Sequence, residues 1–340
     1  MNRTKNYVTF FVILIMIGFF VWAILPKDDF SKKVSETLKK EQEKADVLFK
    51  DATLAEIYDG VKYWELIAKS ATINKSTGVA DLSNVDGVFF DKGRPTMKFI
   101  APSAVWHIDK NEIRLKNPIG YDSRSEKLIK TELAKVNDLS KLYSLFYLPE
   151  SSTSKFEGYW FFAKNLNWKL ATKKLLCTGS ISLTKGNVKI FAEKLESDVG
   201  LNKVVLTGNP RAEVKSDSTK INTSAKMFYV DSSSDIILAD QNVVITRDKA
   251  KIRTSRSNYN PKKRLMELRG DVYITDGPLT AYSRTAYYDI KASTVILTDK
   301  AKAKRGGNEV YGQKITILLG QNKIIVEGRS KAKIKEAEIK

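Results

Sequence analysis

The chain has 340 residues and a formal net charge of +19, from 58 lysines and arginines against 39 aspartates and glutamates. A balance this basic favours an anionic partner, such as a phosphorylated lipid, a membrane surface or a nucleic acid. The single cysteine, Cys177, excludes an internal disulfide, and the single histidine, His107, leaves little basis for zinc or histidine-triad chemistry. We expect neither a cofactor nor a metal site.

The first element along the chain is an apolar run of 19 residues, Tyr7–Leu25, without a charged side chain. As a helix it is long enough to cross about 30 Å of hydrocarbon. Arg3 and Lys5 precede it, and this small excess of positive charge predicts a cytoplasmic N-terminus and an exported remainder. A cleaved signal peptide is the alternative, but no small-x-small cleavage site follows. Residues 1–26 are therefore predicted to be a cytoplasmic stub and a single transmembrane helix.

Residues 27–50 form the next segment, which carries dense charge of both signs and neither glycine nor proline. This composition predicts a tether, either a solvated helix or an extended chain, that holds the folded part away from the bilayer. A helix that binds a partner is the alternative.

From residue 51 onward, apolar and polar residues alternate with a period of two, which is typical of strands with one buried face. In the stretch 251–275, one face of the second strand carries Met266, Leu268, Gly270, Val272 and Ile274. No long helical period is visible, so this part is predicted to be all-β. The loop sequence Pro149–Ser154 marks a domain boundary or a bend and divides it into two segments, 51–150 and 151–340.

A repeat of about 30 residues runs through this part. Each unit has an anchor, such as Gly270, and a small residue sixteen places earlier, such as Thr254. The unit from Thr223 to Asp240 is one residue longer, which a β-bulge would absorb. Including a degenerate copy from Thr131 to Tyr147, there are about nine two-strand units. Their anchors are Asn84, Asn117, Tyr147, Gly179, Gly208, Asp240, Gly270, Asp299 and Gly328.

The residue two places before every anchor is apolar. These residues are Leu82, Leu115, Leu145, Cys177, Leu206, Leu238, Leu268, Leu297 and Val326. A lone unit cannot bury such a face, so neighbouring units must stack. The pattern predicts an elongated β structure with an apolar face that continues from end to end.

Two sets of sequences resemble known families. YWELIAKSATINKSTGVADLSNVDGVFF and MKFIAPSAVWHIDKNEIRLKN, behind an apolar helix and a charged tether, resemble the LptC-type anchored periplasmic component of lipopolysaccharide export. KIFAEKLESDVGLNKVVLTGNPRAEV and KIRTSRSNYNPKKRLMELRGDVYIT resemble the LptA/OstA-type bridge repeat. The resemblance implies a twisted β-jellyroll, open along a seam, whose interior carries the acyl chains of lipopolysaccharide. It also implies an inner-membrane ABC transporter as energy source, and head-to-tail joining with a periplasmic LptA-like bridge protein through edge strands.

The repeat supplies the candidate site residues. We expect the lipid groove to be lined by Leu82, Leu115, Cys177, Leu206, Leu268, Val272, Leu297 and Val326. We expect the last hairpin to dock the next bridge subunit through Ile324, Val326, Arg329 and Lys331. The alternatives are that the apolar residues fill a closed core and that the charges only protect the edge.

Other classes of protein fit less well. A membrane-anchored structural β-solenoid, such as an adhesin or stalk, also suits repeats of about 30 residues, but it requires parallel stacking of equivalent strands. An enzyme is not expected, because the sequence contains no H-E-x-x-H, G-x-S-x-G, P-loop or G-x-G-x-x-G motif. Nucleic-acid binding is not expected of an exported part.

Overall fold

The computed structural model describes residues 47–134, 158–216, 219–231, 234–321 and 323–334. The predicted transmembrane helix and residues 27–46 of the predicted tether lie outside these ranges. Within them, no helix combines the length and the hydropathy needed to cross a membrane.

The described residues form 21 strands and one short helix. The strands are β1 (Val47–Tyr58), β2 (Val61–Asn74), β3 (Val79–Asp91), β4 (Arg94–His107), β5 (Glu112–Lys116), β6 (Ile119–Tyr121), β7 (Tyr159–Phe162), β8 (Asn165–Lys169), β9 (Lys174–Lys185), β10 (Val188–Asp198), β11 (Lys203–Thr207), β12 (Arg211–Ser216), β13 (Thr219–Ser224), β14 (Met227–Asp231), β15 (Ile237–Arg247), β16 (Ala250–Asn260), β17 (Leu265–Asp276), β18 (Leu279–Asp289), β19 (Thr294–Arg305), β20 (Asn308–Leu318) and β21 (Lys323–Lys333). The helix, α1, spans Glu126–Leu133 between β6 and β7.

Three features of the structure differ from the sequence prediction. Strand β1 begins at Val47, so the last four residues of the predicted tether belong to the sheet. The predicted all-β class is confirmed for the described residues after residue 51, where α1 is one short helical interruption that the sequence did not predict. Thr131 lies in α1, so the degenerate repeat unit does not start with a strand, and its anchor Tyr147 lies outside the described residues.

All strand pairs in the described residues are antiparallel and belong to one sheet. Four pairs of short strands, β5 with β6, β7 with β8, β11 with β12 and β13 with β14, each take the place of one long strand. The sheet therefore has seventeen strand positions, and its hydrogen bonding continues across the predicted division near residue 150. Antiparallel pairing also rules out the solenoid alternative, which needs parallel stacking.

The anchors of the repeat lie at a corner in each strand. Gly270 and Asp271 have φ of +81° and +51°, and the β17–β18 register shifts between Arg269 and Val272. A Cβ on Gly270 would lie 2.8 Å from Ser255 Oγ, so this position needs glycine for space as well as for its backbone conformation. Gly270 is thus exposed at a β-bulge, whereas the alternation predicts it on the buried face.

The small residue sixteen places earlier contacts this corner. The Thr254 hydroxyl donates to the carbonyl oxygens of Arg269 and Gly270 at 2.8 and 3.1 Å. One anchor was placed wrongly by the sequence: the positive φ values fall at Gln241 and Asn242, not at Asp240. The residue sixteen places before Gln241 is Ala225, so this unit needs no extra residue.

The corners fold the sheet onto itself. Arg247 ends β15 and Ile290 follows β18, and in a flat antiparallel sheet these strand ends would lie roughly 35 Å apart. Arg247 Nη1 nevertheless donates to the Ile290 carbonyl oxygen at 3.2 Å. Two layers therefore face each other. We call the layer that ends at Arg247 layer A and the layer that ends at Ile290 layer B. Their free margins are rim A and rim B, and the line along which the rims meet is the seam.

Apolar side chains fill the space between the layers in one continuous core from Leu54 to Leu319. Aromatic rings dominate its N-terminal third, where Trp64 and Trp106 pack edge to face at 5.1 Å. A second, smaller core lies on the outer face of layer A. There Ile129 of α1 packs on Ile100, Ile119, Tyr121, Trp160 and Phe162.

Candidate functional site

Seven of the eight predicted groove residues, all except Val272, fall on a single row of directly paired positions that crosses every strand of layer B. We call it the lane row. Its members are Phe49, Ala71, Leu82, Ala104, Leu115, Leu166, Cys177, Leu195, Leu206, Phe228, Ala239, Ser257, Leu268, Ala286, Leu297, Ile315 and Val326. Ser257 is the one polar member. With strands about 4.8 Å apart, the sixteen steps of this row span roughly 75 Å.

A facing row runs along layer A in the same manner. Its members are Leu54, Leu66, Gly87, Phe99, Gly120, Phe161, Leu183, Ile190, Ala212, Thr223, Ile245, Ile252, Ile274, Ala281, Ala303, Val310 and Ala332. Gly87 and Gly120 leave room for rings, since a Cβ on them would lie 2.4 Å from Phe99 Cζ and 2.3 Å from Phe161 Cε1. The two rows together make the apolar interior continuous from β2 to β20, while Phe49 on β1 and Ala332 on β21 are exposed at the two ends.

The structure places each predicted groove residue. Leu82, Leu115, Cys177, Leu206, Leu268 and Leu297 lie in the lane row and are at most 3% exposed. Burial raises the pKa of the Cys177 thiol, which keeps it protonated. Val326 ends the row half-buried on β21. Val272 is buried but belongs to layer A, where it pairs with Ser283.

Among the apolar residues two places before the anchors, one was predicted wrongly to face inward and another lies outside the described residues. Leu238 is half-buried and faces outward, and Ala239 takes the inward place because the anchor of that unit is Gln241. Leu145 lies outside the described residues. Sequence reasoning placed Ile274 on the buried face but did not recognise the facing row as a second row, although Ile245 and Ile252 alternate as clearly as the residues of the lane row do.

Polar contacts hold the rims together along the seam. Toward the N-terminal end, Tyr159 on rim A donates through its hydroxyl to the Gly200 carbonyl oxygen on rim B at 2.9 Å. Further along, Lys185 Nζ lies 2.8 Å from Asp235 Oδ1. Near the C-terminal end, the Gly320 amide donates to Asp276 Oδ2 at 2.8 Å. The family resemblance implied an open seam, whereas these contacts close it over the packed interior.

The Lys185–Asp235 contact is strongly electrostatic. Lys262 Nζ also lies 2.8 Å from the Asp235 carboxylate, and hydrogen bonds from Lys185 and Lys262 lower the Asp235 pKa to about 2. The carboxylate therefore stays ionised at all physiological pH values.

Arg247 makes the other large contact across the seam. Its guanidinium donates to Tyr288 Oη and the Ile290 carbonyl oxygen on rim B, both at 3.2 Å, and to Thr219 Oγ1 on rim A at 3.3 Å. Burial raises the Tyr288 pKa, so its hydroxyl stays neutral. Every hydrogen-bond acceptor of this guanidinium is thus uncharged.

The sheet has two free edges among the described strands, because β1 pairs only with β2 and β21 only with β20. On β21, Ile324 and Val326 pack against the end of the core, while Arg329 and Lys331 are exposed. The predicted docking residues therefore lie on a strand that has an unpaired edge.

This geometry defines an elongated, folded-over β-jellyroll with a continuous apolar interior and open edge strands. Residues 11–142 match the family model described as lipopolysaccharide-assembly, LptC-related. Residues 162–265 and 263–323 match the model described as LptA/(LptD N-terminal domain) LPS transport protein. Together, the two matches support an LptC-type lipopolysaccharide transport protein that continues as LptA-like repeats. These families are transport and bridge proteins, not enzymes.

Among solved structures, the chain is similar to LptH of Pseudomonas aeruginosa, described as the LptA-homologous periplasmic component of the lipopolysaccharide transport device. The similarity has 19% identity and a TM-score of 0.31, and it covers 34% of this chain and 95% of that one. A similarity this low carries no argument of its own. No curated protein matches the sequence.

Proposed function

We propose that this chain is a periplasmic bridge component anchored in the inner membrane by Tyr7–Leu25. It receives lipopolysaccharide from an inner-membrane ABC transporter and passes it along the groove toward the outer membrane. The LptC-related match over residues 11–142 supports the anchored end, and the LptA-type match over residues 162–323 supports the extension of the groove.

The lane row is the observation that carries this proposal. A twelve-carbon acyl chain exposed to water costs roughly 9 kcal/mol at about 0.8 kcal/mol per methylene, so a multi-acylated lipid needs continuous shielding. All lane-row side chains from Ala71 to Ile315 are at most 3% exposed, and the row has no break where the two family matches meet. An interior with this continuity offers acyl chains the same environment from β2 to β20.

Entry of acyl chains requires the rims to separate, because the interior is packed. The seam suits such opening. Its contacts are hydrogen bonds and an ion pair. Water can replace a neutral hydrogen bond at a net cost of about 0.5–1.5 kcal/mol, and one to a charged group at about 1.5–3 kcal/mol. Acyl chains between the layers would restore the apolar contacts that the lane row and the facing row lose to each other when the rims separate.

The two free edges give the chain its direction. The β1 end follows the tether, so it faces the transporter. Strand β21 offers unpaired backbone groups to an edge strand of a separate LptA-like bridge protein, with Ile324 and Val326 extending the apolar interior and Arg329 and Lys331 beside it.

Photocrosslinking in energised membranes tests the proposal. A photoreactive residue at Leu206 or Leu268 should transfer label to lipopolysaccharide. The matched outward positions Val205 and Glu267, on the same strands, should not. Equal labelling from both faces, or none from the lane row, would overturn the groove.

A further inference from the structure

We propose that Arg247 is a binding site for a phosphate group of the acylated glycolipid, and that the same guanidinium closes the seam when no lipid is bound. This inference rests on the proposed function, since it assigns a residue to the polar part of the lipid that the groove would carry.

The first observation is the charge balance around Arg247. Its side chain is only 13% exposed, and its hydrogen-bond acceptors, Tyr288 Oη, the Ile290 carbonyl oxygen and Thr219 Oγ1, are all neutral. Among the described residues, the carboxylate within 4 Å of this guanidinium is that of Asp248, at 3.7 Å from Nε, and the Asp248 side chain is 81% exposed and so largely screened by water. A mostly buried cation whose nearby carboxylate is largely hydrated is stabilised further when an anion binds to it directly.

The second observation is the position of this cation. Arg247 lies at the end of β15, two residues after Ile245 of the facing row. Acyl chains between the layers would place their headgroup at the seam, where the apolar interior meets water. A guanidinium at that boundary presents a planar fork of N–H donors that matches two phosphate oxygens. It can exchange its three neutral acceptors for phosphate oxygens as the rims part.

Lys185 provides a contrast within the same seam. Its side chain is 12% exposed, similar to that of Arg247, but it already pairs with the Asp235 carboxylate at 2.8 Å. Because its charge is compensated by a close carboxylate, loss of Lys185 should loosen the seam without removing a cation whose hydrogen-bond acceptors are all neutral. Lys185→Gln is therefore a matched control for effects of seam opening alone.

The test measures equilibrium binding of the full chain in detergent to bisphosphorylated lipid A and to the same lipid after enzymatic removal of its phosphates. We expect the wild type to prefer the phosphorylated form by about tenfold or more, because hydrogen bonds between ions are among the stronger ones. Arg247→Gln should reduce this preference to near unity while binding of the dephosphorylated lipid stays within about twofold. Arg247→Lys should retain part of the preference, and Lys185→Gln all of it.

Several results would overturn the inference. If Arg247→Gln weakens the binding of both lipids by the same factor, the role of Arg247 is structural. If the wild type binds both lipids equally, the phosphate site is wrong while the groove stands. If the wild type binds neither lipid, the proposed function fails and this inference with it.

A second measurement keeps Arg247 in place, in case Arg247→Gln does not fold. A spin label on Asp248→Cys should broaden the phosphorus resonances of bound lipid A, and a label on Lys300→Cys at the corner should not. Equal broadening from both labels, or none from residue 248, would contradict the site.

Discussion

Leu268 tests whether the interior is packed as the structure shows. Its side chain is fully buried, and its directly paired neighbours in the lane row, Ser257 and Ala286, are small. Truncation in Leu268→Ala should leave a cavity that these neighbours cannot fill, so we expect a loss of about 3–5 kcal/mol in local stability. The control is Tyr273→Ala on the outer face of the same strand, where the ring is 38% exposed and the expected loss is about 1 kcal/mol or less.

Amide hydrogen exchange measured by mass spectrometry is the appropriate assay, because an extended array need not unfold in one step. A loss of about 3 kcal/mol corresponds to exchange in β16–β18 that is faster by roughly two orders of magnitude. The N-terminal strands should change little. If Leu268→Ala accelerates exchange no more than Tyr273→Ala does, the layers are not closed at this position and the reasoning fails.

Three further predictions concern packing, charge and docking. Gly87→Ala should destabilise the protein by about 1–3 kcal/mol, because the new Cβ would lie 2.4 Å from Phe99 Cζ; an unchanged melting temperature would contradict this. The Asp235 pKa is lowered from 3.8 to about 2, so its ion pair with Lys185 stabilises the fold fully above pH 4 and less as the pH falls toward 2. The stability difference between wild type and Asp235→Asn should shrink over that interval, and a constant difference would refute the assignment. Deletion of residues 323–340 removes β21 and should abolish capture of the next bridge protein while membrane anchoring survives; an unchanged pull-down would exclude this edge.

The lane row was predictable because one repeat unit equals one hairpin. Residues at the same place in successive hairpins fall on the same row of paired positions, so Leu206, Leu268 and Leu297 could be found by spacing alone. The same logic failed at Leu238, where a glutamine takes the corner position usually held by glycine, asparagine or aspartate. Spacing locates a row, but only the backbone shows which residue turns the corner.

The seam contacts were beyond the reach of sequence patterns. Arg247 and Tyr288 are 41 residues apart and lie on strands that do not pair. They meet because bulges and strand breaks at successive corners together fold the whole sheet, and no local sequence pattern records their combined effect. Helix α1 escaped prediction for a different reason: its eight residues are too few to show a helical period.

The central claim is that the lane row forms one continuous path for acyl chains. Time-resolved photocrosslinking from Leu115 and Leu297, in membranes that contain the transporter and are supplied with ATP, tests it most directly. The proposed path predicts that lipopolysaccharide is labelled first from Leu115 and later from Leu297, and from neither without ATP. The path would be contradicted by labelling from Leu297 without earlier labelling from Leu115, or by the absence of labelling from both residues.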